Sequence, residues 1–115
     1  MPKNELRDAP SVSIVVPVFN EGEVIASLVG EIQDVFAGDY ANFELILVDD
    51  GSIDRTRAIL GELAAADSRI KVIEFARNYG QTAALTAGFN YAEADIVVTL
   101  DGDGQNDPAE IPKLL

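Results

Sequence analysis

Two carboxylates and an amide stand at alternating positions in Asp101-Gly102-Asp103-Gly104-Gln105. In an extended exit from a strand, alternate residues project to the same side. Such a set of hard oxygen donors suits Mg²⁺ or Mn²⁺, which keep some waters and accept phosphate oxygens as remaining ligands. The intervening Gly102 and Gly104 let backbone and ligand approach closely. An Asp-x-Asp alone, however, more often ends a strand than binds a metal. A calcium loop of the EF-hand type starting at Asp101 fails, because its sixth position is Asn106 rather than Gly and its twelfth is Pro112 rather than Glu.

Asp49-Asp50-Gly51-Ser52 is a second acidic cluster. It reads equally as a turn with an Asp cap and as a carboxylate that accepts hydrogen bonds from a base or ribose. Glu21, after the first apolar run, is more often a favourable charge at a helix N-terminus than a ligand contact. The chain has no G-x-x-x-x-G-K-[ST] loop, and no G-x-G-x-x-G follows the first strand. Any bound phosphate must therefore be held through a cation rather than in a glycine-rich cradle.

The charge distribution agrees. The 115 residues include 20 acidic and 8 basic side chains, a formal charge of −12. From Asn78 to Pro112 there are six acids and no base. A diphosphate brought to Asp101 and Asp103 without a metal would be repelled. The same charge disfavours nucleic-acid backbones and anionic lipid surfaces. With no Cys there is no disulfide framework, zinc finger or thiol nucleophile, and with no His there is no Ser-His-Asp triad. No apolar run approaches the roughly 20 residues that span a bilayer, and the polar start is not a signal peptide. An apolar share of 48% fits a globular domain, here a soluble acidic one.

The elements that must position these residues follow from periodicity. Short β-branched or apolar runs at 13–18, 43–48, 70–75 and 95–100 predict four strands. Pro17 cannot donate a ladder bond and is expected at the C-terminal end of the first. Val24, Ile25, Leu28, Val29, Ile32, Val35 and Phe36 form one apolar stripe at period 3.6, a helix ended by Gly38. A second helix is expected from Asp54, as N-cap, through Ala64. A third, over 79–92, would place Ala84, Leu85, Gly88, Phe89 and Ala92 on one face. Asp107-Pro108-Ala109-Glu110 reads as the start of a fourth. Strands that are continuous apolar runs, alternating with helices, predict an α/β fold: a Rossmann-like, doubly wound sheet of parallel strands. Ligands of such sheets bind outside the C-terminal strand ends, where three of the four predicted strands deliver carboxylates. Residues 1–11 are expected to be a polar tail, and 12–115 to be half of a larger domain that stops as a helix opens.

Three blocks carry a resemblance. Val16-Pro17-Val18-Phe19-Asn20-Glu21, Val48-Asp49-Asp50-Gly51-Ser52 and Asp101-Gly102-Asp103-Gly104-Gln105 resemble, in order and spacing, the family 2 glycosyltransferases of GT-A fold. Arg77-Asn78-Tyr79-Gly80-Gln81, with Ala83 to Gly88 and then Gln105 and Pro108, is similar to the dolichol-phosphate mannosyltransferase and bacterial polyprenyl-phosphate glycosyltransferase branch. The resemblance covers residues 12–115. It implies a GDP- or UDP-sugar donor, Mg²⁺ or Mn²⁺, and a polyprenyl phosphate acceptor such as dolichyl or undecaprenyl phosphate. It places the chain in the cytoplasm, with its parent protein at the cytoplasmic face of a membrane.

Position by position, the resemblance assigns Pro17, Phe19 and Glu21 to the nucleotide site, and Val48 with Asp50 to the base or ribose. Asp101, Gly102 and Asp103 would meet the diphosphate. Asp101 and Asp103 would act in catalysis by binding the metal, with Gln105 completing its shell. Asp49 would orient its loop. Phe19 departs from the more common Tyr, and Gly102 and Gly104 replace bulkier residues. The implied reaction is an inverting displacement by an acceptor phosphate already ionised near neutral pH, which needs no His. Acceptor-binding basic residues lie beyond this stretch in the resembling enzymes, so the chain alone is expected to hold nucleotide and metal without turnover. A non-catalytic nucleotide-binding or interaction module, able to self-associate through an exposed sheet edge, is the main alternative. A phosphoacceptor receiver domain fits less well, because its acidic pair would follow strand one and its partner Lys has no candidate between Asn78 and Pro112.

Overall fold

A computed structural model of the chain describes residues 12–37 and 42–101. The expected tail, Gly38, the Gly102–Gln105 part of the Asp101–Gln105 motif and the helix start at Asp107 and Pro108 lie outside the described residues. Seven elements follow in order: β1 (Val12–Val18), α1 (Gly22–Val35), β2 (Phe43–Asp49), α2 (Thr56–Ala66), β3 (Ile70–Glu74), α3 (Gln81–Tyr91) and β4 (Ile96–Thr99). All strand pairs are parallel, in the order β3-β2-β1-β4. The chain therefore winds outward from β1 through β2 to β3, then returns to the other side of β1. The order reverses between β1 and β4, and that is the switch point of the sheet.

The expected α/β fold is the observed one, and burial explains why its strands carry no polar alternation. On one face Val12, Ile14, Val16 and Val18 pack with Leu45 and Leu47, under Ile25, Leu28, Val29 and Ile32 of α1 and Leu60 of α2. On the other, Val15, Ile46 and Val48 pack with Ala84 of α3. A strand covered on both faces reads as one apolar run. Each fully buried Leu, Ile or Val contributes about 1.5–3 kcal/mol, so the α1 stripe is a major hold on the sheet. Phe36, at the C-terminal cap of α1, closes the stripe against Phe43 with ring centroids 4.8 Å apart.

Two helix expectations are corrected. Residue 54 is not the N-cap of α2: Arg55 holds that position, and the Asp54 carboxylate accepts the Thr56 amide at 2.9 Å. Hydrogen bonds from Thr56, the side-chain one first and this amide second, lower the Asp54 pKa. The third helix begins at Gln81 rather than residue 79, because Tyr79 and Gly80 are bound into a turn. Ala84 and Gly88 are its buried residues and Leu85 and Ala92 pack partly buried against the same cluster, while Phe89 is about half exposed. Val24 of the α1 stripe is likewise exposed.

Far from the switch point, the carboxylate of Glu44 is buried at the N-terminal end of the sheet. It accepts the Ser13 hydroxyl at 2.6 Å and the Glu93 amide at 2.7 Å, tying β1 and β2 to the loop before β4. Among the described residues β4 has a strand neighbour on one side only, and Ile96 and Val97 are exposed along it.

Candidate functional site

A cleft opens at the switch point because β1 and β4 stop pairing there. Val15 O accepts the Leu100 amide on the β4 side, and Val18 O accepts the Asp50 amide on the β2 side. That alternation turns residue 17 toward β4, past the last β1–β4 pair, Val15↔Thr99. A proline there removes no ladder bond, so its place one residue from the end of β1 is physically accounted for. The resulting cleft, about 240 Å³, is lined by Pro17, Val18, Phe19, Glu21, Asp50, Gln81 and Asp101. Three carboxylates and no cationic side chain face it among the described residues.

The exit loop of β1 is bent by Asn20, which adopts φ +52°. Asn tolerates this left-handed conformation better than most residues, and here it is held at both ends. Its amide donates to Ser52 Oγ at 2.9 Å, and its Oδ1 accepts the Ile53 amide at 2.9 Å. The next turn is pinned by the Gly22 amide donating to Thr56 Oγ1 at 3.0 Å. A Cβ at residue 22 would stand 2.9 Å from Thr56 Cα, so glycine permits this contact between the starts of α1 and α2. Phe19 and Glu21 flank the bend. Phe19 is 40% exposed, and its amide lies 3.3 Å from Glu21 Oε1.

The two aspartates that end β2 do different work. Asp49 is fully buried. Its Oδ1 accepts the Ser52 amide at 3.0 Å, and its Oδ2 accepts Arg57 Nε at 2.8 Å. Arg57 also donates to Phe75 O at 2.7 Å and lies 2.9 Å from Glu74 Oε2. The Asp49 hydrogen bond, ahead of the charges of Asp49 and Glu74, raises the Arg57 pKa above its ordinary value. Asp49 is absent from the cleft lining and organises the turn.

Asp50 does reach the cleft, but its carboxylate is already engaged. Oδ1 accepts the Tyr79 amide at 2.7 Å, while Oδ2 accepts Asn78 Nδ2 at 2.9 Å and the Gly80 amide at 3.0 Å. Gly51, at φ +79°, lets this turn meet the one after β3: a Cβ there would lie 2.3 Å from the Arg77 carbonyl carbon.

Of the residues singled out in the sequence, Pro17, Phe19, Glu21, Asp50 and Asp101 meet at one cleft. Val48 does not: its side chain is buried with Val15, Ile46 and Ala84, so only its backbone is near the strand end. Gly102, Asp103 and Gln105 lie outside the described residues. Among the described residues no group of three or more His, Cys, Asp or Glu is arranged to hold a metal ion. Sequence reasoning missed Gln81, whose Nε2 lies 3.5 Å from Asp101 Oδ1, and Val18. Gln81 entered the sequence reading only within the Arg77–Gln81 block, with no site role, and its approach to Asp101 depends on α3 crossing back over β1.

The sequence model of glycosyl transferase family 2 matches residues 13–115. This chain belongs to glycosyl transferase family 2. It is 44% identical over 105 residues to an undecaprenyl-phosphate 4-deoxy-4-formamido-L-arabinose transferase of Edwardsiella ictaluri, covering 90% of this chain and 32% of the relative. A Bacillus subtilis protein described as the uncharacterized glycosyltransferase YkcC is 42% identical over 103 residues, covering 90% of this chain and 32% of that protein. Among solved structures, the mannosyltransferase PcManGT of Pyrobaculum calidifontis, in complex with GDP-Man and Mn²⁺, superposes with a TM-score of 0.69 at 26% identity, over 83% of this chain and 28% of that one. Residues 1–349 of S. aureus TarS in complex with UDP-GlcNAc give 0.70 at 27% identity, over 81% and 26%. The chain thus spans about a third of the length of the curated family 2 relatives it matches. No helix among the described residues is long and apolar enough to cross a membrane.

Proposed function

We propose that this chain supplies the donor-nucleotide and metal site of a polyprenyl-phosphate glycosyltransferase. The observation that carries this reading is the anionic cleft at the switch point, which Glu21, Asp50 and Asp101 reach from the ends of three strands. With no cationic side chain among its described lining residues, it would take a nucleoside diphosphate together with a cation. The donor set fits: Asp101 offers a hard carboxylate at the cleft edge, and the sequence continues with Asp103 and Gln105. The Mn²⁺ and GDP-mannose held by the Pyrobaculum relative support the same assignment.

In this reading the half-exposed Phe19 ring stacks on the base, and Pro17 and Val18 form the apolar floor beneath it. Glu21 accepts from the ribose hydroxyls. Asp50 keeps the wall of the cleft in place through the turn at residues 78–80. A divalent cation bound by Asp101, Asp103 and Gln105 would stabilise the charge of the departing nucleoside diphosphate. The acceptor is a polyprenyl phosphate, as the name of the Edwardsiella relative suggests. Its phosphate, already ionised, attacks the anomeric carbon with inversion, and no strong base is needed. The parent protein would act at the cytoplasmic face of a membrane, with acceptor-binding groups outside these 115 residues. The edge of β4 that has no strand neighbour among the described residues is where the chain alone would self-associate.

Calorimetric titration of the chain with GDP and UDP, with and without Mn²⁺, tests this. Metal-dependent binding that Asp103→Ala abolishes is the expected result. No response to either nucleotide would overturn it. Transfer to a polyprenyl phosphate by the 115-residue chain alone would overturn the assignment of acceptor binding to residues outside it.

A further inference from the structure

A line of hydrogen bonds leads from the outside of the molecule to the cleft and begins at a residue that does not touch the cleft. Arg57, in the first turn of α2, is 39% exposed in its side chain and reaches inward to the fully buried Asp49. Asp49 accepts the Ser52 amide, Ser52 Oγ accepts the Asn20 amide, and Asn20 Oδ1 accepts the Ile53 amide. Asn20 holds the left-handed bend between Phe19 and Glu21, both of which line the cleft.

Two features make Arg57 the anchor rather than a bystander. Its guanidinium joins three elements: the end of β2 through Asp49, the end of β3 through Glu74 and Phe75 O, and α2 by its own backbone. Its planar fork fixes those directions together, which a single ammonium cannot do. Second, the left-handed backbone of Asn20, at φ +52°, is held more firmly where its surroundings fix it. Here the surroundings are Ser52 and Ile53, whose turn is set by Asp49.

We infer that Arg57 is a positioning residue of the nucleotide cleft, acting through Asp49 and Ser52 to hold Asn20, and hence Phe19 and Glu21, in the binding geometry. This rests on the cleft being the nucleotide site, but the line of bonds can be tested without any ligand.

Amide hydrogen exchange is the first arm. Arg57→Met is expected to speed exchange at Asn20, Ser52 and Ile53 about tenfold or more, with no comparable change at Leu45 and Ile70 near the opposite end of the sheet. Unchanged exchange at Asn20 and Ile53 would overturn the inference, whatever the nucleotide does. Arg57→Lys keeps the charge beside Asp49 without the fork, and should give intermediate exchange if Arg57→Met folds poorly.

Nucleotide affinity is the second arm, read with GDP or UDP plus Mn²⁺. Arg57→Met and Asn20→Gly should each weaken binding, and the double variant should lose at least about threefold less than the product of the two single losses. Independent, multiplying losses would overturn the connection between them. If the unaltered chain binds no nucleotide, the proposed function fails, while the exchange arm still decides whether Arg57 holds the bend.

Discussion

Asp50 Oδ1 lies 2.7 Å from the Tyr79 amide, so the end of β2 and the turn before α3 are joined by a charge-assisted bond inside the cleft wall. The same carboxylate takes the Gly80 amide and Asn78 Nδ2, and Asp50 is 5% exposed. These donors satisfy a group that would otherwise be buried at considerable cost. Its neighbour Asp49 answers to a separate set of donors, Ser52 and Arg57.

Replacing Asp50 should therefore loosen the wall of the cleft. Asp50→Asn turns an NH₂ group toward donors that need an acceptor, and should cost about 2 kcal/mol. Urea unfolding measures that loss, and calorimetry should show weaker nucleotide binding at temperatures where the variant is fully folded. Stability within about 0.5 kcal/mol of the parent would contradict the assigned role.

Gly88 sets how closely α3 lies on β1. A Cβ at residue 88 would stand 2.2 Å from Val15 Cγ1, and Val15 is fully buried on the central strand. Gly88→Ala gains about 1 kcal/mol of helix propensity, but the stiff β-branched Val15 cannot withdraw. Overpacking should win and leave the variant about 1–3 kcal/mol less stable. Adding Val15→Ala should recover part of that loss in a denaturation series. A double variant no more stable than Gly88→Ala would show that the helix is held off by something else.

The sequence was most legible where burial sets the pattern. Continuous apolar runs gave four parallel strands, and the period of Ile25, Leu28, Val29 and Ile32 gave the face of α1. The acidic residues after the strands also pointed to one edge of the sheet, and Glu21, Asp50 and Asp101 do line one cleft there. Less legible was the division of labour between adjacent carboxylates. Nothing in Asp49-Asp50 tells which is buried against Arg57 and which faces the cleft, because the distinction depends on contacts 8 to 30 residues away. Val48 and Gln81 mark the same boundary. Strand parity turned the first into the core, and the crossover of α3 brought the second to Asp101.

Asp101 should be necessary for the proposed cation. It is exposed at the end of β4, and Gln81 Nε2 approaches its Oδ1 at 3.5 Å, a long and weak contact. Asp101→Asn should abolish the dependence of GDP or UDP affinity on Mn²⁺. A variant with the same Mn²⁺ dependence as the parent would remove Asp101 from the metal site.

Acid sensitivity should be traceable to the opposite end of the sheet. Asp67 accepts Arg69 Nε at 3.0 Å, Arg69 Nη2 at 2.9 Å and Gln33 Nε2 at 3.1 Å. The Arg69 side-chain bonds come first in holding its carboxyl well below the usual carboxylate range. A depressed pKa in the folded state means that protons bind more readily to the unfolded chain. The stabilisation is therefore complete above the unfolded value near 4 and is lost as pH falls below it toward the folded value. Because Arg69 is 37% exposed, solvent screening limits the contribution to about 1 kcal/mol. Asp67→Asn should accordingly be less stable than the parent by about that amount at pH 7. The two unfolding curves should converge as pH drops below about 4. A gap that stays constant down to pH 2 would show that Asp67 acts through packing and neutral hydrogen bonds rather than through its charge.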